Sequence, residues 1–228
     1  MTLTEFSNEF DIMYNTASYG APDLNNYEKS LFLTQAVRDL IDELYPQYEY
    51  SEANKRALAP LVTTYEFDSN TEVNNYFSNV TSYEYTLPAP LYYILRENVT
   101  IEDQCNDVVE VVPTDLDALN KALKNPFKKP SKRKVLRTTG ADGLINLYCS
   151  DSNPVTAFKI TYLTKYSPII LSDFEDDSEL VGDETIDGLN VETSTELPVF
   201  LHDKIVKRGV VLAIASLRQN NLETKTKI

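Results

Sequence analysis

The feature that most constrains this chain is a single long amphipathic period over residues 25–45, NNYEKSLFLTQAVRDLIDELY. Leu33, Val37, Leu40, Ile41 and Leu44 recur at steps of three and four, with Tyr27 and Leu31 extending the period upstream. That spacing predicts a helix with one apolar stripe. Asn25 or Asn26 marks its start, because a short polar side chain can accept from the first free N–H groups. Tyr45-Pro46 marks its stop, because a residue before proline is pushed out of the α region. A second long apolar period covers residues 197–217, with Leu201, Ile205, Val206, Val210, Ala213, Ile214 and Leu217 on one stripe. The two helices are expected to pack together, with Leu33, Val37, Leu40 and Leu44 facing Leu201, Ile205 and Ile214. The strand-rich sequence between them would be an insertion.

The ends of the chain carry further helical signals. Thr2 and Glu5 have capping-box spacing, and Leu3, Phe6, Phe10, Met13 and Tyr14 form an apolar face behind them. A third helix is predicted from Ser51, ended or kinked by Pro60. After residue 62 the pattern changes to short β-branched and aromatic runs at 63–67, 82–87, 91–101, 107–112, 135–139, 144–149 and 156–166. One short helix, capped near Thr114 and ended before Pro126, interrupts them. Asp187-Gly188 predicts a turn into a last short strand near 189–193. The reading is therefore α+β: N- and C-terminal helices forming a helical bundle, with an inserted β-rich subdomain. Its parts are residues 1–62, 63–195, 196–221 and a flexible tail at 222–228.

Charge is distributed unevenly. The formal net charge is −14. That disfavours a free-standing nucleic-acid binder, which usually shows basic excess. Yet Lys121, Lys124, Lys128, Lys129, Lys132, Arg133, Lys134 and Arg137 form one positive run, broken by Pro126 and Pro130. An acidic stretch includes Asp173, Glu175, Asp176, Asp177, Glu179, Asp183, Glu184 and Asp187. The basic run can be a solvated loop, a phosphate-contacting patch, or a surface that pairs with acid on a neighbouring copy. A basic patch at one place and an acidic one at another suits head-to-tail assembly into a ring. The interaction candidates are accordingly Lys128, Lys129, Lys132, Arg133 and Lys134 on one side, and Asp173, Glu175, Asp176 and Asp177 on the other. The tail beyond Asn220 is a third contact candidate.

Little in the sequence points to catalysis. His202 is the one histidine of the chain, which leaves no histidine cluster for a metal and makes any histidine-based triad rest on a single residue at a helix start. No phosphate-binding glycine loop, dinucleotide fingerprint, zinc-protease helix or nucleophile elbow is present. The acidic stretch lacks the alternation and turn glycine of an EF-hand. Cys105 and Cys149 are too few for a disulfide framework and read as reduced core residues. No secretory signal and no membrane span is expected. Fifteen tyrosines suit both strand packing and extensive interfaces. No cofactor, no metal and no enzymatic activity is expected.

A family resemblance goes further. Residues 25–36 (NNYEKSLFLTQA) follow Phe6, Phe10, Asp11 and Tyr14. Later come FKITY at 158–162, PIIL at 168–171, ELP at 196–198, LHDKIVKR at 201–208, and Ala213 and Ala215. This layout resembles virion neck proteins of crAss-like bacteriophages, short-tailed phages of gut Bacteroidales; residues 63–134 do not take part in it. The resemblance implies a head–tail connector: a homo-oligomeric ring of about twelve copies, bound to the portal protein and to neighbouring neck or tail rings. Packaged DNA would pass through without specific binding, and there would be no membrane partner. Such a ring belongs to the virion and is assembled in the host cytoplasm. Other readings are a tail-tube or hub component, or a virion hydrolase using paired carboxylates.

Overall fold

The computed structural model describes residues 1–228 except 19–21, 68–70, 78–79, 103–107, 141–142, 153, 175–183 and 227–228; of 71–77 and 218–226 it describes the backbone alone. The chain divides into two compact units, Met1–Leu61 with Tyr166–Ile228, and Val62–Lys165.

The first unit is built on the predicted helix, α2 (Asn26–Leu44). Asn25 caps it: its side chain accepts from the Glu28 N–H, and the Glu28 carboxylate accepts from the Asn25 N–H. This reciprocal pair satisfies two donors that a helix start leaves without partners. The same arrangement, Thr2 with Glu5, starts α1 (Leu3–Ala17). α2 ends where expected, but Tyr45 before the proline keeps α-region angles (φ −59°, ψ −46°), and the chain tightens into a 3₁₀ turn at Tyr45–Gln47 instead of leaving the helical region. Ser51 caps the short α3 (Glu52–Leu58). The last helix, α5 (His202–Thr226), follows a 3₁₀ turn at Val199–Leu201.

Both α1 and α2 pack on α5, and only slightly on each other. Leu33, Val37, Leu40, Ile41, Leu201, Ile205, Val206, Val210 and Ala213 are all buried. The helices approach closely at Gly209, where a Cβ would stand 3.4 Å from both Leu33 and Phe10. Outside this core, Glu43 on α2 accepts from Lys204 (2.8 Å) and Arg208 (2.7 Å) on α5.

A second face of α2 is also covered. Residues Ser30 and Thr34, one turn apart, are buried. Thr34 Oγ1 accepts from the Ile169 N–H (3.0 Å) and donates to the Ile169 carbonyl (3.3 Å), while Ser30 Oγ accepts from the Leu171 N–H (3.0 Å). The helix thereby supplies an extended segment with the hydrogen bonds that a neighbouring strand would otherwise give. Past that segment, Ile170, Phe174 and Ile186 form a small cluster against Tyr27, with Tyr27 and Phe174 edge to face at 5.2 Å. Asp187 and Gly188 have positive φ (54° and 85°) and make the predicted tight turn, bridging Ile186 to Leu189.

The second unit is one eight-stranded sheet, in the order β1-β8-β4-β5-β6-β7-β3-β2. Its strands are β1 (Val62–Phe67), β2 (Thr71–Phe77), β3 (Val80–Thr86), β4 (Leu91–Ile101), β5 (Val108–Pro113), β6 (Lys134–Thr139), β7 (Leu144–Ser150) and β8 (Val155–Thr164). Pairing is antiparallel except between β5 and β6, where Val111 meets Val135 and Val112 meets Leu136. A parallel pair needs a crossover, and α4 (Leu116–Lys124) supplies it. Leu119, Ala122 and Leu123 of α4 pack against Val80, Leu136, Val112 and Tyr148. The other face curls over a core of its own. Phe67 and Phe158, from the β1–β8 end, are stacked at 4.8 Å, and both lie within 5.0 Å of Tyr85 on β3, near the opposite end. Register shifts along β4 add to the local twist. Residues along β7 alternate strictly, with Ile145, Leu147 and Cys149 inward.

The expected fold class needs correction. The chain is mixed α+β, and its eight-stranded sheet forms a whole compact unit around a continuous core of its own. The terminal helices do not close a bundle by themselves. The described residues of 166–174 and 184–201, mostly irregular, fill a large part of the helical unit's interior through Tyr166, Ile169, Ile170, Leu171, Phe174, Ile186 and Leu197, all buried. One helix, α4, belongs to the sheet. Periodicity reveals apolar stripes, but the partner of α2's polar Ser30 and Thr34 is an extended backbone with no period to read.

Leu40 is completely buried. Replacing it with Asp should destabilise the helical unit by more than about 3 kcal/mol, through an unpaired buried charge; Leu40→Ala should cost about 2–5 kcal/mol. Chemical denaturation followed by circular dichroism would measure both.

Candidate assembly surfaces

The basic run resolves into three kinds of side chain. Arg137 leaves it altogether. Within β6 it points toward Glu97 of β4, with Nε 3.4 Å from Oε1 and both side chains largely buried. Burial pushes the Glu97 carboxyl above its ordinary range, and Arg137 only partly offsets this. Lys134 is half-buried, and its ammonium donates to the Phe127 carbonyl at 3.3 Å. Lys128, Lys129, Lys132 and Arg133 are exposed, and their side chains have no partner among the described residues.

These four cations sit on a built loop. Backbone N–H groups of Lys128 and Lys129 donate to the Asn125 carbonyl (3.0 and 2.9 Å). Phe127 N–H donates to Asn125 Oδ1 (2.9 Å). Ser131 and Lys134 exchange backbone hydrogen bonds at 2.9 and 3.0 Å. The outcome is a fixed loop whose tip carries Phe127, with 91% of its surface exposed. Beside the loop lies an open groove of about 510 Å³ under α4. Val112, Ala122 and Leu136 line its apolar side, and Lys121, Lys128 and Lys134 its basic side. Sequence reasoning found the charges and missed Phe127, whose one signal was an aromatic residue standing between Pro126 and Lys128.

The acidic candidates separate differently. Asp173 is exposed, but its Oδ1 accepts from the Glu192 N–H at 2.6 Å, so it staples its own loop. Glu175, Asp176 and Asp177 lie outside the described residues. Asp187 faces Arg38, 3.6 Å away, and Arg38 Nε donates to the Tyr166 hydroxyl (2.7 Å). The structure therefore brings the basic candidates together on one loop and gives the acidic stretch two anchored ends.

His202 is buried in the helical unit. Nε2 donates to the Leu197 carbonyl (2.9 Å), and Nδ1 accepts from the Met1 amino group (2.9 Å). Phe6 lies against the ring at 4.9 Å. Burial lowers the His202 pKa, and the nearby amino group acts in the same sense. This is a neutral, fully used core histidine. Among the described residues, no group of three or more His, Cys, Asp or Glu is placed to hold a metal ion, and no helix is long and apolar enough to cross a membrane.

The loop at 125–134 thus presents an exposed aromatic among cations whose side chains have no partner among the described residues. Comparison with known proteins gives the family. The family model for phage tail ring protein 3/4 matches residues 1–226. The chain belongs to that family. It is 34% identical over 236 residues to a protein named ring protein 3 of Bacteroides phage crAss001, covering 96% of this chain and 97% of that protein. It is also 29% identical over 251 residues to ring protein 4/5 of the same phage, covering 100% of this chain and 98% of that protein. The resemblance read from the sequence, to ring proteins of crAss-like phages, is thereby established across both units. Family members are structural components of the phage tail.

Two outcomes test this description. Because the folded state holds His202 neutral while the unfolded state protonates near its ordinary value of about 6.5, the unfolded chain binds more protons in acid. Stability from this site is complete above about pH 6.5 and falls as pH drops toward the lowered folded value. Melts between pH 7.5 and 5 should show that loss, and His202→Gln should flatten the slope. At the sheet, Arg137→Met leaves Glu97 buried without its cation and should cost about 3–5 kcal/mol, while adding Glu97→Gln should recover part of it.

Proposed function

We propose that the chain is the subunit of a homo-oligomeric ring in the phage neck, joining head to tail at the portal and lining the path by which DNA leaves. The observation that carries this reading is the extent of the family match: it runs through both units, so the whole chain, not a shared fragment, is built for the ring role. A closed ring of about twelve copies would match a portal of the same symmetry. Its neighbours would be the portal protein and the adjacent rings.

The charge supports a passage through which DNA slides. At −14 per copy, a ring would carry a net excess of negative charge, which repels phosphates overall. The reading needs no catalysis: it requires a rigid subunit with two different contact faces. Assembly itself has to overcome repulsion between acidic subunits, so it should respond to salt.

Mass photometry of the purified chain over a concentration series should show a discrete species of about twelve subunits. Its midpoint should move with ionic strength. Pull-down should retain the portal in preference to tail-tube protein. A chain that stays monomeric at every concentration and salt, and ignores the portal, would sink the ring reading.

A further inference from the structure

We infer that the loop at residues 125–134 is the key of the ring's subunit interface: Phe127, fixed at its tip and flanked by Lys128, Lys129, Lys132 and Arg133, inserts into an acidic surface of a second copy of this chain. The inference rests on the ring reading and adds to it a named surface and the chemistry of its receptor.

Four observations carry it. First, the loop is held before any partner arrives. Asn125 receives three backbone N–H groups through its carbonyl and side chain, and Ser131 and Lys134 close the base. A large apolar side chain that is 91% exposed on a rigid support is a preorganised anchor: little conformational freedom remains to be lost on binding. Second, several cations elsewhere in the chain have carboxylate partners: Lys29 with Asp11, Lys55 with Glu52, Lys159 with Glu66, and Lys204 and Arg208 with Glu43. The four around Phe127 have none among the described residues, although Asp and Glu outnumber Lys and Arg by 35 to 21. Acid is plentiful, so these cations are kept clear of it within the subunit and stay available for acid outside it.

Third, like charge forbids the loop from meeting its own copy across a two-fold axis. It must meet a different face of the next subunit, and a heterologous contact of that kind is what closes into a ring. Outside residues 121–137, which hold eight cations and no carboxylate, the rest of the −14 chain taken together sums to −22, so the next copy offers the complementary field. Fourth, the groove beside the loop, apolar along Leu136 and Ala122 and lined by Lys121, Lys128 and Lys134 against a single carboxylate, Asp115, continues the same surface. It provides a place for an apolar side chain of the neighbour, flanked by carboxylates.

DNA is the competing partner for a basic loop with an aromatic tip, and the test separates the two. Two variants are compared with wild type: Phe127→Ser, and the quadruple Lys128→Glu, Lys129→Glu, Lys132→Glu, Arg133→Glu. All five positions are exposed, so both variants should melt at the wild-type temperature. Mass photometry should show ring formation weakened at least tenfold in each. A benzophenone side chain placed at 127, in a mixture of isotopically light and heavy subunits, should cross-link between chains to a segment rich in Asp or Glu. Wild-type rings that persist unchanged in both variants would overturn the inference and leave the ring reading standing. So would retention of a labelled DNA duplex by wild type at physiological salt that both variants lose while their rings persist. A wild type that forms no ring removes both.

Discussion

The helical unit depends on two buried hydroxyls. Ser30 and Thr34 lie one turn apart on α2 and take the backbone polar groups of Ile169 and Leu171. An extended segment lying against a helix has no ladder partner on that side, and a buried N–H without an acceptor costs about 1–3 kcal/mol. With those hydroxyls in place, residues 168–171 can be wholly buried and α2 can be covered on two sides, by α5 on its apolar face and by an irregular chain on its small polar one. Lys29 then follows α2's first turn into the gap toward α1 and pairs with Asp11 at 2.8 Å. Ala or Val at positions 30 and 34 would keep the periodicity and lose this docking.

The sheet unit depends on one parallel pair. Antiparallel neighbours can be joined by short turns, but β5 and β6 lie side by side in the same direction, so the chain must travel the length of the sheet between them. That journey is α4, with Leu119, Ala122 and Leu123 closing the outer face, and then the loop at 125–134, which brings the chain back to the start of β6. The loop's position is therefore a consequence of topology. It has to stand out at the edge where a crossover returns, and it is the part of that crossover free to carry side chains with no duty to the core. Asn125 and Pro126 end the helix, and the Ser131–Lys134 bridge restarts the strand.

Much of this was legible locally. The Thr2–Glu5 capping box, the start of α2 at Asn25 and its end before Pro46, the strand at 91–101, the β6–β7 hairpin and the turn at Asp187-Gly188 are short-range features, and each is set by chemistry within a few residues. What could not be read was pairing across distance. Nothing in VVEVVP marks it as the parallel neighbour of KVLRTT. The strand β2 was not expected, because TEVNNYF carries two asparagines and a weak alternation. The terminal-bundle fold was wrong for the same reason: stripes on helices show that something covers them, and Pro168–Leu171 shows no stripe at all. For the candidate surface, the positive run was visible as composition, but its division was not.

That division matters more than the run. By count, Lys121 to Arg137 holds eight cations. By environment, Arg137 is a buried counter-charge for Glu97, Lys134 is a clamp on the Phe127 carbonyl, and six exposed cations remain: Lys121 and Lys124 on α4, and four on the loop around Phe127. A solvated loop gives no reason for such sorting. If charge were there only for solubility, an acidic chain would gain more from carboxylates at the tip, and an exposed phenylalanine would be replaced by almost any polar residue at no cost to the fold. The combination is understandable when the cost of exposure in the free subunit is recovered in the assembled one. At the proposed interface Phe127 would lose its contact with water, and the cations would meet carboxylates in a surrounding of lower dielectric, where each pair is stronger than it would be on an open surface.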